Sequence, residues 1–244
     1  MALSVGGLAL VQRLVPTALR AKHNEVAGFI YAVLGVAYAV LLGLMLVAVW
    51  EQWNAAAETA DDEASSLAEI FWIAHQLPDP EGRRIQELAR SYARTVEDEE
   101  WPLMEQGKAS PKAWSTLDEI RDDVQKLGPS TSTPQVLYEQ ELERVHDLAD
   151  ARRGRLLSAE EGLPAILWVV LIVGGVVVVC FTYLFGLENT SVHLLMVAAL
   201  ALIIALVLFS VAALDHPFRG DVRIAPNALE QVLGRFESSK LSDL

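Results

Sequence analysis

"VAGFIYAVLGVAYAVLLGLMLVAVW", Val26 to Trp50, runs for 25 residues without a charge. A helix rises about 1.5 Å per residue, so roughly 20 apolar residues cross a hydrocarbon core of about 30 Å. Two further runs clear that length. Leu163 to Leu187 is again uncharged, and Ser191 to Leu214 has His193 as its one ionisable group of note. A backbone in lipid must satisfy its own hydrogen bonds, so each run is expected to be a membrane-spanning helix.

The chain of 244 residues is 52% hydrophobic and yet carries a formal charge of -13. Residues 51–163 hold 12 of the 19 Lys/Arg and 25 of the 32 Asp/Glu, so the whole excess of acid belongs to that segment and the remainder is neutral. The charge excludes a nucleic-acid footprint, which needs a basic patch. It predicts an all-α polytopic membrane protein with an acidic helical insert. The expected divisions are 1–25 (a partial N-terminal membrane helix and loop), 26–50 (a span), 51–162 (the acidic cytoplasmic region), 163–187 and 191–214 (two spans), and 215–244 (a turn and an amphipathic helix). "MALSVGGLALVQ" offers only 12 uncharged residues before Arg13, too few to span. It reads as the second half of a spanning helix whose start is missing, with a re-entrant or interfacial piece as the alternative. Cys180, the single cysteine, reads as a small packing residue.

Local signals place the other helices. The first span continues with helix formers to Leu77, where Pro78 stops it. Trp50 and Trp53 suit a membrane interface, and Ala57, Ala60, Ala64, Leu67 and Phe71 form an apolar stripe beyond them. Asp79-Pro80, Ser110-Pro111 and Thr133-Pro134 each look like an N-cap followed by proline, and Ser158 with Glu161 like a capping box. The implied helices cover about 80–106, with a break at Pro102 as the alternative, 111–127 and 134–157. Arg144, Arg152, Arg153, Arg155, Arg219 and Arg223 lie near the membrane ends on one side, against Arg13, Arg20 and Lys22 on the other. That excess puts the insert and the C-terminus in the cytoplasm, with "RRGR" as a positive-inside anchor.

No catalytic motif is present, and the five His lack metal-ligand spacing, so neither an enzyme, a metal site nor a cofactor is expected. "EDEE", Glu97 to Glu100, reads as a solvated face rather than a cation site. Gly28, Ala32, Gly35, Ala39 and Gly43 recur at steps of three and four, with Tyr31 and Tyr38 beside them. Such a stripe lets helices approach closely in lipid, either within one chain or around an oligomer axis with an apolar pore. His23, Asn24 and Glu25 form an interfacial cap or a pore mouth. No ionisable residue lies deep in a span, which argues against a proton-coupled transporter. In "LDHPFRGDVRIAP", Asp215 and His216 can cap the last span, Pro217 stops it, Phe218 can lodge at an interface and Gly220 permits a reversal. Arg219 can meet headgroups or a neighbouring acid, and Asp221 closes the motif. The turn serves as a structural re-entry or as a gating and subunit-coupling element, and "APNALEQVLGRF" follows as a short amphipathic helix.

"HNEVAGFIYAVLGVAYAVLLGLMLVAVWEQW" together with "LDHPFRGDVRIAP" resembles the bacterial DUF4239 family of bestrophin-like membrane proteins, and more distantly the bestrophin anion channels. The resemblance implies four membrane helices, a cytoplasmic helical region between the second and third, and a homo-oligomer, a pentamer in bestrophins, with the second helix around the pore. It implies a channel in the cell (inner) membrane that passes small anions. A non-conducting scaffold or sensor, recruiting a partner through the acidic helices, is the alternative. Pro217, Phe218 and Asp221 fit the turn after the last bestrophin span. The acidic run of the bestrophin calcium clasp does not follow, since Val222, Arg223, Ile224 and Ala225 stand there, and Asp215 and Asp221 alone cannot supply its oxygens.

Overall fold

The computed structural model describes residues 6–7, 23–128, 135–187 and 189–242. The expectations for the rest of the N-terminal 22 residues, and for the Thr133-Pro134 helix start, lie outside these. Among the described residues every regular element is helical: α1 (Asn24–Ala74), α2 (Glu81–Thr95), a π-helical turn (Val96–Glu100), α3 (Trp101–Met104), α4 (Pro111–Leu127), α5 (Gln135–Glu160), α6 (Ala165–Thr182), α7 (Thr190–Leu214) and α8 (Asn227–Ser242). Three of them, α1, α6 and α7, are long and apolar enough to cross a membrane.

The helix ends show which local signals act. α1 is one helix of 51 residues, because no proline interrupts it before Pro78. At α4 the Ser110 hydroxyl accepts from the Ala113 N–H at 3.4 Å and Pro111 opens the first turn. At α7 the Asn189 side chain accepts from both Ser191 and Val192 N–H. Three expectations are corrected. Asp79 does not cap α2; its carboxylate takes Arg83 at 2.7 Å instead. Ser158 opens no helix, since α5 runs through it to Glu160 and α6 begins after Pro164 without a side-chain cap. The helix expected over 80–106 changes to a π turn at Val96–Glu100 and runs on as helical backbone into α3, where Pro102 lies just past that turn.

The chain forms two compact units: residues 1–51 with 163–215, and residues 52–162 with 216–244. In the first, Tyr38, Leu42 and Val49 of α1 pack with Leu171 and Val178 of α6 and with Ile204 and Val211 of α7. Most of its apolar surface faces outward; Phe29 is 75% and Leu195 70% exposed. Contiguous apolar surface of that extent needs lipid or another protein over it. The second unit has a conventional core, with Leu67, Ile70 and Phe71 of α1 against Ile85, Leu117, Ile120, Leu148 and Phe236.

That core also encloses three ion pairs among four residues. Glu63, Glu100, Arg152 and Arg155 are all fully buried. Arg155 binds Glu63 at 2.5 Å and Glu100 at 2.7 Å, and Arg152 binds the other oxygen of Glu100 at 2.6 Å. The Ser110 N–H donates to Glu100, and the Tyr92 hydroxyl donates to Glu63 at 2.7 Å. Burial, and then the charge of Glu63, hold that hydroxyl well above its ordinary titration range. The guanidinium of Arg152 stacks over Trp114 at 4.6 Å and that of Arg155 over Trp101 at 4.8 Å. Two positive and two negative charges balance, as charges withdrawn from water require. Two sequence readings change. "RRGR" is not a row of interfacial anchors, because Arg152 and Arg155 are core residues. Of "EDEE", Glu100 is not solvated, because the π turn directs it inward.

Candidate functional site: the outward face of α1 and the C-terminal turn

α1 presents two different faces in the membrane-type unit. One carries Tyr31 and Tyr38. The Tyr38 hydroxyl donates to the Leu171 carbonyl at 2.8 Å, and its ring lies on Gly174 and Gly175 of α6. A Cβ at Gly174 would stand 2.7 Å from that ring, so the close approach requires glycine there. Tyr31 stacks on Phe181 and meets Phe185 edge-on at 5.7 Å. Both tyrosines are therefore committed to packing within the chain and do not share the exposure of the small-residue stripe.

Among the described residues the stripe is largely left open. Ala32, Ala39 and Gly43 are exposed, and Gly28 and Gly35 half-buried. Among the described residues outside the helix's own backbone, nothing would lie within 4 Å of a Cβ on Gly35 or Gly43, and at Gly28 the nearest atom belongs to Phe185 at 3.9 Å. Beyond Trp50, the exposed residues of the same helix turn polar, with Asn54, Glu58, Asp61, Asp62 and Ser65. At the start of α1, His23 and Glu25 are exposed. Asn24 instead clasps the loop after α6: its amide donates to the Gly186 carbonyl at 3.0 Å and accepts the Gly186 N–H at 2.9 Å.

The segment after α7 is a built turn. Asp215 reaches back within its own unit, where one carboxylate oxygen accepts the Leu163 N–H at 2.6 Å and the other the Trp168 indole N–H at 3.2 Å. Asp215 is therefore not a side-chain cap of α6; it ties the residue before Pro164 and the Trp168 indole to the end of α7. From His216 on, the turn belongs to the helical unit. The Ile224 N–H donates to the Pro217 carbonyl at 2.8 Å and closes the loop, with Gly220 at φ +80°. Phe218 is buried edge-on against Trp101, whose indole N–H donates to the Ile224 carbonyl at 3.0 Å. Arg219 donates to the Ala159 carbonyl at the end of α5 at 3.1 Å. It also lies over Gly107, where any side chain would meet it. Phe218 and Arg219 therefore hold protein rather than a lipid interface, while Asp221 stays exposed. The "GG" pair at 174–175 was the sequence signal for the Tyr38 seat; nothing local marked Asp215 as a partner of Trp168.

The model of the Bestrophin-like domain matches residues 1–229. The chain belongs to the bestrophin-like family. Among solved structures, this bestrophin-like chain is similar to a bacterial bestrophin homologue from Klebsiella pneumoniae, with a TM-score of 0.73 at 14% identity over 96% of this chain and 94% of that one. A variant of the same homologue gives a TM-score of 0.74 at 13% identity, over 97% and 96% of the two chains. At that identity the likeness is one of fold. No curated protein matches the chain. Among the described residues no group of His, Cys, Asp and Glu is placed to hold a metal ion.

Proposed function

We propose that the protein is a homo-oligomeric bestrophin-like channel of the cell (inner) membrane, with the small-residue face of α1 turned toward neighbouring copies around a central path. The observation that carries this is the contrast between the two faces of α1. Tyr38 is sealed against α6, while among the described residues nothing lies on Gly35 or Gly43 and Ala39 is exposed. Small residues on a lipid-embedded helix are what a close helix–helix contact uses. An apolar path of this kind gates by wetting and drying rather than by buried charges. The helical unit is then cytoplasmic, and the C-terminal turn couples α7 to it. By resemblance the complex is a pentamer that passes small anions.

A second reading of the permeant ion has one observation in its favour. The exposed part of α1 after Trp50 carries Glu58, Asp61 and Asp62, which concentrate cations if they border the path.

The test is the native mass of the complex in nanodiscs, followed by ion flux in liposomes under a salt gradient. A closed ring that conducts, and that Gly35→Leu with Ala39→Leu silences without unfolding the helical unit, supports the channel. The sign of the reversal potential assigns anion or cation. A monomer or dimer without flux would replace this reading with that of a scaffold recruiting a partner through its acidic helices.

A further inference from the structure

α5 turns one side to the core of the helical unit. Glu141, Val145, Leu148, Arg152, Arg155 and Ala159 are buried at alternating steps of four and three. Arg152 and Arg155 are neutralised by Glu100 and Glu63. Glu141 is not. It is 0% exposed, and among the described residues neither oxygen of its carboxyl has a hydrogen-bond partner. A carboxylate without water, donor or counter-ion is far less favourable than the neutral acid.

We propose that Glu141 is a proton-operated latch: neutral, it allows the first turns of α5 to close on the core, and ionised, it opens that end to water. The surrounding charges do not supply an alternative partner. On α1, Arg155 meets Glu63 and Arg144 meets Glu69, so α5 runs antiparallel and Glu141 lies level with the turns beyond Glu69. On α4, Arg152 meets Ser110 and Trp114 at the head of the helix, which puts Glu141 level with its last turns. The charged or titratable groups there are Glu69 and His75 of α1, Arg121, Asp122, Asp123 and Lys126 of α4, and Arg144 of α5 itself. Glu69 is held by Arg144, Arg121 by Asp118, and Asp123 by Lys126 and by Arg84 of α2. None of them reaches the carboxyl of Glu141, and burial alone pushes its titration up from about 4.5 to about 8.

The direction of the effect follows by linkage. Below the ordinary carboxylate range, closed and open chains are both protonated, and the closed form has its full advantage. As pH rises from about 4.5 to about 8 the open form releases its proton and the closed form does not, so the closed form loses ground. The change approaches a factor of about ten per pH unit across that window.

The experiment is hydrogen exchange on the full-length protein in nanodiscs at pH 6 and pH 8, corrected for the chemical exchange rate. The proposal requires protection of residues 135–149 to fall about tenfold or more over that range, with α2 and α4 changing less. In Glu141→Gln and Glu141→Met the same segment holds its protection across the range. Unchanged protection in the wild-type protein overturns the proposal, and so does a fall that either variant reproduces. Neither result depends on whether the protein conducts ions.

Discussion

Arg155 shows what a single residue can hold together, since its guanidinium joins α5 to Glu63 of α1 and to Glu100 of the π turn, all three fully buried. Removing one member of a buried pair strands the other, at a cost of about 3–5 kcal/mol. Glu63→Gln is therefore expected to lower the thermal unfolding midpoint of the helical unit sharply, read by circular dichroism. The neighbouring Asp62, which faces water, makes the control, with Asp62→Asn leaving the midpoint nearly unchanged. Tyr38 is the counterpart in the membrane-type unit. Tyr38→Phe removes one hydrogen bond, worth about 1 kcal/mol, whereas Gly174→Leu drives a side chain into the ring and should prevent α1 and α6 from meeting. Disulfide trapping between paired cysteines on α1 and α6 distinguishes these outcomes.

At the scale of the element, the head of α6 depends on a residue from the end of α7. Asp215→Ala leaves the Leu163 N–H and the Trp168 indole without their acceptor. Hydrogen bonds to a charged group contribute about 1.5–3 kcal/mol each, so the variant should lose stability, measured as a lowered unfolding midpoint in detergent, and Asp215→Asn should recover part of it. Contacts of this kind mark the limit of what the sequence displays. The three spans follow from composition, and α4 from Ser110-Pro111, because the hydrophobic effect and capping act over a few residues. The division at the π turn, the burial of Glu100 and the inward turn of Arg152 and Arg155 depend on partners 52 to 92 residues away. A basic "RRGR" beside a span has the composition of a membrane anchor, and only the facing helices reveal it as core. The small stripe of α1 was visible as a pattern. That Tyr31 and Tyr38 lie off that face was not, since their seat is made by α6.

For the whole molecule, the apolar exterior of the first unit makes a simple prediction. Ile203, in the middle of α7, is 61% exposed. Ile203→Arg would put a charge near the centre of the bilayer at a cost of about 3 kcal/mol by insertion scales, and should reduce the fraction of protein integrated into membranes. Val222→Arg, in the turn of the helical unit, should leave that fraction unchanged.

The buried quartet of Glu63, Glu100, Arg152 and Arg155 cancels to zero, so enclosing it subtracts nothing from the formal charge of -13. That excess sits in the helical unit, mostly on groups that face water. In the ring proposed above, copies of the chain would assemble against their own repulsion, which counter-ions screen over about 8 Å at physiological ionic strength and about 30 Å at 0.01 M. An assembly held by small residues within lipid and opposed by like charge outside it tightens as salt is added and loosens on dilution into water.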